Sequence, residues 1–209
     1  MKYSLSIIFL LFILHTTMAQ KNTVAGTYYL TGVMETGSGF KLSEDSSFEF
    51  FYSYGALDRY GSGRWSVQDN KVILNSKPYP GNDFKLVKSI STKNNFTTIQ
   101  IDNSNKMFNR FVYSLQKTKD GDSLVNANSN GTIILSGKTT DTIHLFFELT
   151  PERISSFAID NKENNSFTFQ FQPWIVEVFF KDFMLEFKED HLEGPHPLLE
   201  KPSYTYTKE

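Results

Sequence analysis

Along most of this chain apolar and polar residues alternate with a period of two, the pattern of a strand that buries one face. Phe48, Phe50, Tyr52 and Tyr54 share one parity of a single run. Residues 167–172 alternate Phe, Thr, Phe, Gln, Phe, Gln without a fault. Ile143, Leu145, Phe147 and Leu149 lie opposite His144, Phe146 and Glu148, and Ile99 and Ile101 lie opposite Thr98 and Gln100. Phe111, Tyr113 and Leu115 are expected on an apolar face, against Val112, Ser114 and Gln116. Between these runs fall turn signals: Glu35-Thr36-Gly37-Ser38-Gly39, Asp58-Arg59-Tyr60-Gly61-Ser62-Gly63, Gln68-Asp69-Asn70, Lys77-Pro78-Tyr79-Pro80-Gly81-Asn82-Asp83, Asp120-Gly121-Asp122 and Asn128-Ser129-Asn130-Gly131. Short alternating runs separated by turns predict an all-β fold, an antiparallel barrel or sandwich, rather than βαβ units.

A helical period is absent over any dozen residues. The best helical candidate is one turn at Thr150-Pro151-Glu152-Arg153, with Thr as cap and Pro in the first turn. Residues 174–187 change phase: Val176, Val178 and Phe180 share one parity, Phe183, Leu185 and Phe187 the other. A shift of one residue marks a bulge or a tight hairpin, and a hairpin turning at Lys181-Asp182 is expected. Residues 191–202 are Pro-rich and read as irregular, with a last strand at residues 203–207.

The amino terminus has a different character. Lys2 precedes a nearly continuous apolar run over residues 5–14, and Thr17-Met18-Ala19 is a small-residue cleavage pattern. Together they predict a secretory signal peptide over residues 1–19, and the run is too short for a membrane span. The mature chain would then hold residues 20–209, exported to the periplasm or beyond, with no transmembrane segment. The whole chain has 21 basic and 23 acidic residues, a net charge of −2. That balance gives no electrostatic footprint for nucleic acid. With no Cys, disulfide scaffolds, thiol nucleophiles and cysteine metal sites are excluded. Its 20 Phe and 10 Tyr can build a core that needs no staple.

Five segments together carry a resemblance. They are Gly26-Thr27-Tyr28, Gly39-Phe40-Lys41-Leu42, Phe48-Glu49-Phe50, Gly63-Arg64-Trp65 and Val72-Ile73-Leu74. Over about residues 25–75 this resembles the opening meander of secreted bacterial lipocalin-like β-barrel proteins, with Tyr28 where their G-x-W start has Trp. The resemblance implies a barrel that binds a small hydrophobic ligand. The middle of the chain leaves another arrangement open. Asn130-Gly131-Thr132-Ile133-Ile134-Leu135 fits the strand start of a small β-sandwich over residues 96–160, similar to the transthyretin-like modules inserted in exported bacterial proteins. The residues do not choose between one barrel and this insertion.

Candidate chemistry is sparse. Tyr52, Tyr54, Arg59, Tyr60, Arg64 and Trp65 crowd into fourteen residues, where rings could stack on a ligand and Arg59 could orient it. The plainer alternative is a hairpin with paired aromatics and a solvated Arg. Glu189, Asp190, His191, Glu193 and His196 are the nearest approach to a metal cluster, but Gly194-Pro195 breaks any helical spacing and the stretch reads as a solvated loop. His144 stands alone on a strand. The nucleophile elbow, S-x-x-K, H-E-x-x-H and phosphate-loop motifs are all missing. The sequence therefore predicts an exported, non-enzymatic binding protein without cofactor or metal. Its partner would be a small hydrophobic ligand, or else a protein or glycan of the envelope or surface. A hydrolase assembled from distant acids ranks below both.

Overall fold

The computed structural model describes residues 24–55, 57–118, 121–138 and 141–209. The expected signal peptide, residues 1–19, lies outside them. Five strands open the chain: β1 (Gly26–Leu30), β2 (Thr36–Leu42), β3 (Ser47–Tyr54), β4 (Leu57–Gln68) and β5 (Lys71–Asn75). Eight follow: β6 (Phe84–Ile90), β7 (Phe96–Ile101), β8 (Val112–Thr118), β9 (Gly121–Asn126), β10 (Thr132–Ser136), β11 (Thr142–Phe147), β12 (Ile154–Ala158) and β13 (Ser166–Phe171). Three close it: β14 (Phe183–Lys188), β15 (His191–His196) and β16 (Leu199–Lys208). The chain forms two compact units, Met1–Tyr79 with Glu177–Glu209, and Pro80–Val176.

The first unit is a closed barrel of eight antiparallel strands in the order β1-β16-β15-β14-β5-β4-β3-β2. Each strand pairs with the next along the chain, and β16 returns to pair with β1 through Tyr28–Lys208. The alternation seen in the sequence decides which side chains enter. Phe48, Phe50 and Tyr52 of β3 point inward and meet Phe40 and Leu42 of β2, Trp65 of β4, Leu74 of β5 and Tyr206 of β16 in one buried cluster. Asp69 and Asn70, both at positive φ (49° and 62°), make the two-residue turn between β4 and β5. Such turns match the twist of the strands they join.

Residues 174–187 do not form the expected hairpin. Only the second arm is a strand, β14, and it pairs with β5 and β15. The stretch 177–180 is an extended strap held at single points: Glu177 bridges Tyr60, the Val178 N–H donates to the Tyr60 carbonyl at 2.7 Å, and the Ser76 N–H donates to the Phe180 carbonyl at 2.8 Å. It places Val178 and Phe180 in the barrel core. The phase change is real but is a bend at Asp182, whose φ is 48°. The tail is also more regular than expected, since β15 and β16 run through it. Its prolines fall where no ladder N–H is needed. Pro197 lies in the turn, and Pro195 and Pro202 lie in the irregular stretch between the Gly194–Tyr204 and His196–Leu199 pairs.

The second unit has two four-stranded sheets, β10-β7-β13-β6 and β12-β11-β8-β9. In the first, β7 and β13 run parallel. The inner faces share one core, with Ile99, Ile133 and Phe167 of one sheet clustered with Val112, Ile143 and Leu145 of the other. The Phe157 and Phe169 rings meet across the layers at 4.8 Å. Strands β6 and β13, which pair with each other, extend this unit beyond residues 96–160. The sheet face expected at Phe111, Tyr113 and Leu115 is reversed. Phe111 ends a 3-10 helix (Lys106–Phe111) capped by Asn105, and Val112 and Ser114 are the fully buried residues. The helical candidate at residues 150–153 is a turn, closed by the Arg153 N–H on the Thr150 carbonyl.

Candidate functional site

Period two separates the six expected ligand-binding residues. Tyr52, Arg59 and Trp65 are buried on the inward parity of β3 and β4. Tyr52 and Arg59 are cross-strand partners. Trp65 lies farther along β4, where its indole N–H donates to the Ser43 carbonyl at 2.9 Å. Tyr60 is half exposed and Arg64 is exposed on the opposite parity, and Tyr54 ends β3 at the surface. These side chains do not converge on one point. The sequence hides β4 itself: residues 58–63 read as a turn but lie inside this strand, with Gly61 and Gly63 at two inward positions that carry no polarity.

A different set does assemble on the outside of the barrel. The register runs Tyr29 to Gly39, Gly39 to Phe51, and Phe51 to Tyr60, one residue on each of four adjacent strands. Tyr29, Phe51 and Tyr60 are 43%, 36% and 50% exposed. The Tyr29 and Phe51 rings touch edge to face at 5.8 Å over the bare backbone of Gly39. A Cβ at Gly39 would stand 2.2 Å from the Tyr28 carbonyl oxygen and 3.0 Å from the Phe51 ring. The neighbouring row holds Thr27, Lys41, Glu49 and Ser62, and the two rows line a shallow open depression of about 630 Å³. Lys41 and Glu49 face each other at 4.0 Å, so the depression carries no net charge. Sequence reasoning missed Tyr29 and Phe51. The available signal was Phe51 itself, an apolar residue on the polar parity of Glu49 and Ser53.

Inside the barrel, Ser38 Oγ lies 3.0 Å from His196 Nε2. A hydroxyl beside an imidazole invites a nucleophile–base reading. The hydrogen bonds oppose it. His196 Nδ1 accepts the Leu198 N–H at 3.0 Å, so in the neutral ring the proton sits on Nε2. Nε2–H then donates to Ser38 Oγ, and the Ser38 hydroxyl donates to the Phe51 carbonyl at 2.7 Å. His196 is thus a donor toward Ser38 and cannot take its proton. Both are buried, and burial pushes the imidazole down to about 4.

The expected acid and histidine cluster divides along β15. His196 points inward. His191 contacts Asp190 at 3.3 Å and Glu193 at 3.2 Å, and these bonds raise its pKa. Lys188, at 2.6 Å from Glu193, holds that carboxyl below its ordinary range. Among the described residues no three His or acidic side chains converge to hold a metal ion.

The sandwich unit has its own cleft of about 430 Å³, lined by Leu115, Gln116, Lys117, Ser136, Asp141 and His144 among others. His144 Nδ1 meets Ser156 Oγ at 2.8 Å across the β11–β12 register, and among the described residues no carboxylate is hydrogen-bonded to the ring. Asp141 is engaged by Lys162. A comparison with known proteins finds no match to this chain, whether family model, curated sequence or solved structure.

Proposed function

We propose that this is an exported, non-enzymatic binding protein whose barrel is a rigid support and whose outer aromatic row takes a glycan. The exposed line Tyr29–Phe51–Tyr60 is the observation that carries the reading. Barrel interiors of this strand number are just wide enough to be filled by side chains. This one holds rings in mutual contact: Phe40 meets Phe50 at 5.1 Å and Tyr206 at 5.2 Å, and Phe180 meets Phe48 at 5.2 Å. A filled core with exposed aromatics on the wall is the arrangement of a surface that meets a partner. The row spans about 14 Å across four strands, long enough for a short oligosaccharide. Its rings offer apolar faces to sugar C–H groups, and the flanking Thr27 and Ser62 hydroxyls offer hydrogen bonds. The paired Lys41 and Glu49 favour a neutral sugar.

The test is affinity electrophoresis of the whole mature chain through gels cast with neutral polysaccharides. Retardation by at least one polysaccharide is expected. Phe51→Ala and Tyr60→Ala should each weaken it about tenfold, as central aromatic anchors do, while Arg64→Ala leaves it unchanged. Folded protein that migrates freely through every gel, or retardation indifferent to Phe51 and Tyr60, would sink the reading.

Strand order favours a second reading, a lipocalin-like carrier of a small apolar ligand. Eight strands running up and down, with the last closing on the first, is the lipocalin plan. A ligand inside would have to displace rings of the core, Phe180 of the strap first among them. Native mass spectrometry after incubation with a lipid panel separates the two: an added lipid mass supports the carrier, and an unchanged mass supports the surface.

A further inference from the structure

The hairpin between β15 and β16 turns through Pro197 and Leu198. The Tyr206 hydroxyl holds its β15 arm, donating to the Pro195 carbonyl at 3.0 Å, and one side chain bridges the tip itself. His196 Nδ1 accepts the Leu198 N–H, a short side-chain bridge to the backbone two residues on. Leu198 and Leu199 pack against the barrel core just beyond it. The imidazole lies in a box of rings, with centroids of Tyr52 at 5.5 Å, Phe50 at 5.7 Å, Tyr204 at 5.8 Å and Tyr206 at 6.3 Å.

We infer that this hairpin tip is an acid-released latch: protonation of His196 breaks its bond to Leu198 and lifts Leu198 and Leu199 from the core. The reason is geometric. The neutral ring has one lone pair, on Nδ1, and Leu198 N–H occupies it. A proton from solvent can bind only there, and it turns Nδ1 from acceptor to donor. Two N–H groups then face each other at 3.0 Å, and one must move. The other side of the ring is unaffected, because Nε2–H donates to Ser38 in both states. Release is therefore one-sided: the tip moves, and the Ser38–Phe51 link stays.

The surroundings make the box a poor host for the cation. Ser38 from β2, and Tyr204 and Tyr206 from β16, carry no acidic-range charge. Tyr52 from β3 is likewise neutral. Arg59 of β4 is the cross-strand partner of Tyr52 and brings no negative charge. On β15 the nearest acid, Glu193, is engaged with Lys188 and His191. Burial holds the closed ring down to about 4, and opening the tip to water raises it toward its ordinary value. Linkage then raises the open population severalfold or more between pH 7 and pH 4.

Amide hydrogen exchange of the whole mature chain, corrected for the intrinsic pH dependence of exchange, reads this directly. Protection of the Leu198 amide should fall severalfold or more between pH 7 and pH 4, with the Phe51 and Tyr52 amides unchanged. The inference fails if Leu198 protection stays level while the His196 ring titrates, or if all barrel amides lose protection together. His196→Asn supplies the second arm. Its Oδ1 can accept the Leu198 N–H but does not titrate, so the acid step should vanish; an acid step that persists in this variant overturns the latch. If the variant does not fold, the wild-type arm still decides.

Discussion

At the scale of single residues, two glycines decide how closely the barrel wall can approach its surroundings. A Cβ at Gly61 would stand 2.6 Å from the Phe180 ring and 2.7 Å from the Val178 carbonyl oxygen. One at Gly63 would stand 2.1 Å from the Asn75 carbonyl oxygen. Neither clash can be relieved by a flexible side chain end, because backbone is involved in both. Gly61→Ala is therefore expected to cost about 3 kcal/mol, read as a lower denaturation midpoint in urea. Gly55 is a different case. Its φ is +57° and nothing lies within 4 Å of an added Cβ, so Gly55→Ala costs only the left-handed backbone, about 1 kcal/mol. His196 sets the acid limb of stability. Its folded pKa is depressed to about 4 from an ordinary value near 6.5, so between these values the unfolded chain binds the extra proton. The histidine's contribution is complete above about pH 6.5 and is lost as pH falls toward 4, a loss of about 3 kcal/mol. Urea midpoints should decline over that window and flatten in His196→Asn.

At the scale of elements, Arg153 shows what a turn can do from outside a strand. It follows the turn at residues 150–152 and reaches Asp83 at 2.8 Å, just before β6. It also donates to the Ile175 carbonyl, beyond β13. Both ends of the sandwich segment are thereby tied to one guanidinium, and both side chains of the ion pair are nearly buried. Removing one partner leaves a buried charge, so Arg153→Met should cost about 4 kcal/mol, whereas Arg153→Met with Asp83→Asn should recover much of the loss. A double-mutant cycle by urea denaturation measures the coupling. Nothing local in the sequence marks this pair, which lies 70 residues apart. The same limit explains what else was hidden. The strands of β3, β7, β11 and β13 were legible because their own alternation decides their faces. The strap at residues 177–180 was not, because its alternation is that of a strand while its hydrogen bonds are single bridges to distant residues. The outer aromatic row was illegible as a row, since register between strands, not order within one, puts Tyr29 beside Phe51. Arg59 and Tyr60 were adjacent in sequence and face opposite sides of the wall.

At the scale of the molecule, each unit has its own core: one cluster joins Tyr28, Phe50, Trp65 and Phe180, and another joins Phe84, Ile99, Leu145 and Phe169. A segment that carries its own core can be inserted into a host whose strand pairing it does not complete. The barrel closes without the sandwich, because β5 pairs with β14 directly. The two chain ends left by removing residues 80–176 are also held near each other. Lys77 Nζ lies 3.2 Å from Glu177 Oε2, and the Tyr79 and Phe179 rings meet at 5.2 Å. A short Gly-Ser linker from Tyr79 to Glu177 therefore needs to span little, and loop closure over so few residues costs little entropy. The joined barrel is expected to unfold in one cooperative transition, with near-ultraviolet circular dichroism from its packed rings. Residues 80–176 expressed alone should do the same, since Arg153, Asp83 and Ile175 all travel with them. Loss of a cooperative transition in either piece would show that the two cores depend on each other for folding.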